Sequence, residues 1–126
     1  MAYQNYRDLR VWQQAMDLCV LVCKRSDELP GRERFGLTQQ LRKAAVSVPS
    51  NIAEGHTRGT PAEIRRYGSI AAGSLAEVET QIILAERIFS LSETGEIFMR
   101  MEAIRKMLFR LGQSYIREDF TGYSET

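Results

Sequence analysis

The sequence predicts an all-α protein, an up-down-up-down four-helix bundle formed by a single domain over residues 1–126. Three observations predict it. Apolar residues recur at spacings of three and four in four segments, helix start and stop signals separate these segments, and the connections between them are short. The helices are expected at about residues 8–29, 36–58, 61–89 and 93–118. A composition with 44% hydrophobic and 26% charged residues suits one globular core.

The first predicted helix, with Asp8 as its N-cap, has two apolar stripes on adjacent faces. One stripe is Leu9, Trp12, Met16, Cys19 and Cys23, and the other is Val11, Ala15, Leu18 and Val22. A helix that is apolar on two faces is expected to be buried on two sides. The two cysteines lack a CxxC spacing and stand far from the single histidine, so we expect buried free thiols in a reducing compartment.

The second helix keeps its apolar period straight through a proline. Its stripe is Leu37, Leu41, Ala45, Val48 and Ile52. Because Pro49 lacks an N–H and its ring crowds a preceding carbonyl, it should bend the helix. The helix should end near Arg58, with Gly59 as its C-cap.

The third helix has a strong start signal, with Thr60 as N-cap, Pro61 in the first position and Glu63 closing a capping box. Its stripe is Ile64, Tyr67, Ala71, Leu75, Val78, Ile82, Ala85 and Phe89. Beside it lies a smooth surface, which we define as Gly68, Ser69, Ala72, Gly73 and Ala76. Each glycine weakens a helix by roughly 1 kcal/mol relative to alanine, so close approach by another helix is expected to compensate.

The fourth helix should be capped by Ser92 or Thr94. Its stripe is Ile97, Met101, Ile104, Leu108, Leu111 and Tyr115. From Asp119 onward the sequence predicts a frayed tail.

Composition narrows the possible functions. The net charge of +1 gives no overall attraction to nucleic acid, so such binding would depend on how the charges are distributed. The longest apolar run, LCVLVC at residues 18–23, is far shorter than the roughly 18 to 20 residues of a membrane span. The first ten residues lack the apolar stretch of a secretory signal. We therefore expect a cytoplasmic protein without a membrane partner.

The segment EGHTRG at residues 54–59 admits three interpretations: an active-site loop, a phosphate cradle or a helix end. His56 has no partner motif for nucleophilic catalysis. The glycine spacing is not that of a P-loop, and the segment ends a helix where a phosphate cradle would open one. A helix end is favoured, with no enzymatic activity, no metal and no cofactor.

Polar residues form a second stripe on the same helix, and it has two interpretations. Its members are Gln40, Lys43, Ser47, Asn51, Glu54 and Arg58. It is either a solvated face on which Glu54 and Arg58 form an ordinary i,i+4 pair, or Asn51 and Glu54 form a partly buried polar contact between helices or subunits.

Charge is distributed unevenly along the chain. Residues 24–66 hold nine basic and five acidic side chains, whereas residues 77–102 hold six glutamates and two arginines. In an antiparallel bundle this places a basic region toward one end, where phosphates could bind. The alternative is that these charges are merely solvated.

Four stretches carry a family resemblance: YRDLRVWQQAMDL at 6–18, FGLTQQLRKAAVSVPSNIAEG at 35–55, GSLAEVETQIILA at 73–85 and IRKMLFRL at 104–111. Together they resemble the four-helix-bundle family encoded in intervening sequences of bacterial 23S ribosomal RNA genes. The chain is also similar to the accessory variability protein of diversity-generating retroelements, a pentamer that binds nucleic acid and a reverse transcriptase.

The resemblance implies a homopentamer without enzymatic activity, with RNA or DNA and a reverse transcriptase as further partners. It also implies nucleic-acid binding through basic residues of the second and third helices. The positions concerned are Arg42, Lys43, Arg58, Arg65 and Arg66. The alternative is a structural or protein-binding oligomer without physiological nucleic-acid binding.

Overall fold

The computed structural model describes residues 5–125, with side chains described for residues 5–115. It contains four α-helices: α1 (Arg10–Ser26), α2 (Leu37–Arg58), α3 (Pro61–Phe89) and α4 (Gly95–Glu125). Two short 3-10 turns lie at Tyr6–Asp8 and Gly31–Glu33. Residues 5–125 contain no β-strand, which confirms the all-α prediction.

The helices form a bundle in which each packs against the next in the chain and α1 closes the ring against α4. Within the described residues, the diagonal pairs α1 with α3 and α2 with α4 make no contact. This is the contact pattern of an up-down-up-down bundle with short connections. None of these helices is long and apolar enough to cross a membrane.

The core is built from one stripe of each helix. From α1 the stripe that contains Val11 and Leu18 is buried, and we call it the inner stripe. The stripe that contains Leu9 and Trp12, the outer stripe, is half-buried at most, and its Met16 is exposed. Trp12 of that stripe packs edge to face on Tyr6, with 5.3 Å between the ring centroids. The predicted burial of α1 on two sides is therefore not achieved by contacts among the described residues. Cys19 and Cys23 are half-buried free thiols where burial was expected.

The beginning of α1 differs from the prediction. Asp8 belongs to the 3-10 turn before the helix, and the N-cap is Leu9, whose backbone is extended and whose side chain makes no capping hydrogen bond. The Asn5 side chain caps the 3-10 turn by accepting a hydrogen bond from the N–H of Arg7 at 2.9 Å. An extra turn before the helix thus moves the start of α1 past Asp8.

The corner between α2 and α3 follows its sequence signals. Gly59 caps α2 in the left-handed conformation with φ 83°, which glycine adopts without strain. The Thr60 hydroxyl oxygen accepts a hydrogen bond from the N–H of Glu63 at 3.2 Å, and Pro61 is the first residue of α3. Both predicted caps are confirmed. Pro49 is buried inside α2, and a bend there stays a prediction.

The link between α3 and α4 is attached to the end of α1. Arg25 donates hydrogen bonds to the backbone carbonyls of Ser92 and Glu93, the latter at 2.7 Å. Thr94 directly precedes α4, but its hydroxyl donates to the Glu86 carboxylate at 2.7 Å. The tail predicted to fray from Asp119 is helical to Glu125.

Candidate nucleic-acid interface

Arg42 is held at the end of α1. Its Nε donates to the Ser26 hydroxyl at 2.7 Å, and its Nη2 forms an ion pair with the Asp27 carboxylate. Ser26 is buried, so this hydrogen bond joins the last turn of α1 to α2. The guanidinium of Arg42 is therefore already bonded in a contact between α1 and α2.

Lys43 follows directly in sequence but lies on another side of α2. Its side chain is exposed and lines a groove between α2 and α3. Among residues 5–115, no carboxylate lies within ion-pair distance of Lys43. Its ammonium group is consequently available to a phosphate.

Arg58 and Arg66 meet around one aromatic ring at the junction of α2 and α3. Each guanidinium carbon lies 5.2 Å from the centroid of the Tyr67 ring, within the range of a cation–π contact. Arg58 also pairs with Glu54 at 3.2 Å, and Arg66 pairs with Glu63 at 3.4 Å. We call Arg58, Arg66 and Tyr67 the arginine–tyrosine corner.

Local sequence explains why this corner forms. At Gly55 the two helices approach so closely that an added Cβ would lie 2.8 Å from Tyr67 Cβ and 3.0 Å from the Glu63 carbonyl oxygen. The left-handed Gly59 then turns the chain, and Pro61 starts α3 two residues later. Arg58 and Arg66, eight positions apart in sequence, are thereby brought to the same ring.

Electrostatics keep the corner cationic. The pKa of Arg58 is raised above its ordinary value by the neighbouring Tyr67 first and by the hydrogen bond to Glu54 next. Its side chain is 48% exposed and that of Arg66 is 63% exposed. Exposed ion pairs of this type contribute little to stability, so a phosphate can replace the carboxylates.

Arg65 lies on a different face from its neighbour Arg66. Its Nη1 donates to the backbone carbonyl of Tyr115 on α4 at 3.2 Å. Of the five basic residues singled out from the sequence, the structure brings together only Arg58 and Arg66. Lys43 lies fifteen residues before Arg58 on the same helix, which corresponds to about 22 Å.

Asn51 and Glu54 do not belong to one network. The Asn51 amide donates to the backbone carbonyl and the hydroxyl of Ser47, each at 2.8 Å. Ser47 in turn shares a 2.7 Å hydrogen bond with Ser74 of α3. Asn51 is half-buried in this contact between helices, whereas Glu54 is exposed and pairs with Arg58.

His56 is buried in the last turn of α2, with 7% of its surface exposed. Its side chain is therefore not presented to solvent. Within the described side chains, no group of three or more histidine, cysteine, aspartate and glutamate residues is arranged to hold a metal ion.

Two residues of this region were not predicted from the sequence: Tyr67 of the arginine–tyrosine corner, and Ser74 in the contact between α2 and α3. The sequence places Tyr67 in the apolar stripe of α3, and in the structure its side chain is half-buried. The sequence offered one signal for a cation–π contact at Tyr67, its position directly after Arg66. The contact with Arg58 could not be predicted in this way, because it depends on the turn between α2 and α3. Ser74 carried no signal of its own, because its partner Ser47 lies on another helix.

The two cysteines support a prediction about pH. Burial first, and then the charge and the hydrogen bond of the neighbouring Cys23, together raise the pKa of the Cys19 thiol from an ordinary value of 9.0 to about 11. Alkylation of Cys19 by iodoacetamide, followed by peptide mass spectrometry, should therefore be slow at pH 8 and accelerate up to about pH 11. The urea-unfolded chain is the control and should titrate near pH 9. Equal profiles in both states would contradict the prediction.

The same shift affects stability. The pKa of the Cys19 thiol in the folded state lies above its value in the unfolded state. The contribution of Cys19 to the free energy of unfolding is therefore present below about pH 9 and is lost as the pH rises toward about 11.

Comparison with known proteins identifies one family. A family model described as "23S rRNA-intervening sequence protein" matches residues 7–110. The matched part includes α1, α2, α3 and half of α4, and it contains the whole arginine–tyrosine corner. No curated protein matches the chain.

Proposed function

The chain belongs to the 23S rRNA-intervening sequence protein family, and we propose that it is a non-enzymatic, oligomeric accessory protein that binds RNA or DNA. Binding uses basic residues of α2 and α3. The observation that supports this most directly is the arginine–tyrosine corner, where two exposed guanidinium carbons each lie 5.2 Å from the centroid of one ring.

The corner suits nucleic acid for two reasons. Guanidinium groups bind phosphate oxygens through paired hydrogen bonds, and these contacts position a strand without reading its sequence. An aromatic ring next to them offers a surface on which a base can stack once an arginine moves to a phosphate. Both groups stand at the end of the bundle, where α2 meets α3, so a strand can approach from solvent.

The other basic residues contribute unequally in this proposal. Lys43 adds a phosphate contact because its exposed ammonium has no carboxylate beside it within residues 5–115. Arg65 lies toward α4 and Arg42 is bonded to Ser26 and Asp27, so both hold the fold and add little binding.

Salt dependence tests the proposal. Replacing Arg58 and Arg66 together by alanine should weaken binding of a labelled single-stranded RNA. It should also reduce the slope of log affinity against log salt by roughly 0.7 for each lost phosphate contact, the value for single strands. Fluorescence anisotropy at several salt concentrations measures both quantities.

The matched control removes the same charge elsewhere, with Arg87 and Arg110, both exposed, replaced by alanine. We expect its slope to stay close to that of the unaltered protein. A corner variant with an unchanged slope would show that this assignment is wrong. Absence of salt-dependent binding in the unaltered protein would refute the function itself.

A second candidate function is a structural or protein-binding oligomer, and an apolar groove between α3 and α4 favours it. The groove has a volume of about 370 Å³ and is lined by Ile64, Gly68, Ala72, Leu108, Phe109 and Gly112, among others. An added Cβ at Gly68 or Gly112 would meet nothing within 4 Å. Among the described residues, no helix therefore makes the close approach that the smooth surface permits.

In this proposal another copy of the chain covers the groove, and the half-buried outer stripe of α1 supplies further contact area. Light scattering should then give a mass that is a multiple of 14.4 kDa, with five copies as the expected number. Phe109→Glu should lower that mass, because the ring is 68% exposed in the groove. Phe35→Glu, at an exposed ring outside the groove, is the control. A monomeric unaltered protein would contradict the assembly.

A further inference from the structure

A polar groove lies between α2 and α3, apart from the arginine–tyrosine corner. Its functional side chains are Gln40, Lys43, Ser47, Ser74, Glu77 and Gln81, and its volume is about 330 Å³. That volume falls within the roughly 300 to 1,000 Å³ typical of small-ligand sites. Few apolar side chains line it, so it is poorly suited to bury the apolar face of a partner helix.

A chain of hydrogen bonds lies at the floor of the groove, and one hydroxyl hydrogen in it has no acceptor within the chain of bonds. Asn51 donates to the Ser47 hydroxyl at 2.8 Å, and the Ser47 and Ser74 hydroxyls share a single bond of 2.7 Å. Two hydroxyl groups that share one bond leave one hydroxyl hydrogen for another acceptor. Ser74 is 7% exposed, so its position is fixed by the packing around it.

The wall of the groove offers acceptors that lack donors. The Gln81 Oε1 atom is closed off from water and has no hydrogen-bond partner among the described residues, which is an unfavourable state for a buried acceptor. Glu77 is exposed, and among the described side chains its carboxylate has no cationic partner. Glu77 and Gln81 lie about 4.5 and 10.5 Å along the helix axis from Ser74. Turning the flexible Gln81 amide into the groove would let its oxygen accept from a ligand.

We propose that the polar groove binds an amino-bearing nucleobase, cytosine or adenine, in a single-stranded segment whose phosphate contacts Lys43. This inference rests on the proposed nucleic-acid binding. The exocyclic amine donates to Glu77 or Gln81, and the adjacent ring nitrogen accepts the spare hydroxyl hydrogen of the serine pair. Uracil presents a carbonyl oxygen where cytosine presents the amine, so two acceptors would face each other at the Glu77 carboxylate, which has no hydrogen to donate.

One strand can reach both the groove and the corner. Lys43 and Arg58 lie about 22 Å apart along α2. Single-strand binding sites span roughly 4 to 16 nucleotides per domain, which covers that separation. The corner then supplies phosphate contacts that are independent of sequence, and the groove supplies the preference for a base.

The test compares labelled ten-nucleotide strands of cytidine, adenosine and uridine by fluorescence anisotropy at one salt concentration. We expect the first two to bind about tenfold more tightly than the uridine strand, as one base-specific contact allows. Glu77→Gln and Gln81→Met should each bring the ratio toward one, and Lys43→Ala should weaken all three strands alike. Gln39→Met, at an exposed position on α2 outside the groove, should keep the ratio.

The outcomes separate the two proposals. Equal, salt-dependent binding of all three strands overturns base discrimination and leaves the proposed function standing. No binding of any strand at low salt overturns both. If Glu77→Gln and Gln81→Met change the mass in light scattering and leave binding of all strands unchanged, the groove is a contact between copies of the chain. Circular dichroism of each variant verifies that it is folded.

Discussion

Gly55→Ala should lower the free energy of unfolding by about 1 to 3 kcal/mol, although alanine is the better helix former. The new Cβ would lie 2.8 Å from Tyr67 Cβ, 3.0 Å from the Glu63 carbonyl oxygen and 3.3 Å from Ile64 Cα. Two of these neighbours are backbone atoms and the third is attached directly to backbone. None can move aside without shifting α3, so the helices must separate. Urea unfolding followed by circular dichroism measures the change.

Gly73→Ala is the matched control on α3, where an added Cβ meets nothing within 4 Å. There only the helix propensity changes, so the free energy of unfolding should rise by up to about 1 kcal/mol. Both variants must be measured at one protein concentration, because assembly would add to the stability of the folded state. A Gly55→Ala protein as stable as the unaltered one would contradict the close approach of α2 and α3.

Gly55 also connects the fold to the proposed binding surface. The atom nearest to an added Cβ at Gly55 would be the Cβ of Tyr67, whose ring is contacted by both Arg58 and Arg66. Any shift of α3 that relieves the clash moves this ring away from Arg58. The same packing that sets the distance between the helices therefore positions the two guanidinium groups.

The helices and their caps could be predicted from the sequence because their signals are local. The apolar period, the Gly59 stop and the Thr60–Pro61 start each depend on neighbours within a few residues. The start of α1 was predicted wrongly for a related reason. Asp8 has the right residue type for an N-cap, but it lies in a 3-10 turn that the Asn5 side chain caps. The apolar pattern of the sequence carries no signal for this turn.

The candidate site was less predictable, because its residues come together only through tertiary packing. Arg42 and Lys43 are adjacent in sequence and equally basic, yet one bonds to the end of α1 and the other is exposed beside α3. A charge count along the chain cannot separate them. Successive residues on a helix point about 100° apart, so their partners are decided by which helices pack there.

Leu75→Ala should be the most destabilising single truncation among those considered, lowering the free energy of unfolding by about 2 to 5 kcal/mol. Leu75 is 1% exposed in the middle of α3, within the core to which all four helices contribute. Removing its isobutyl group loses the transfer free energy and leaves a cavity that rigid helices cannot fill. Leu84→Ala is the control, since that side chain on the same helix is 41% exposed and its loss should change stability by less than about 1 kcal/mol. Equal urea midpoints for the two variants would show that the core does not centre on α3.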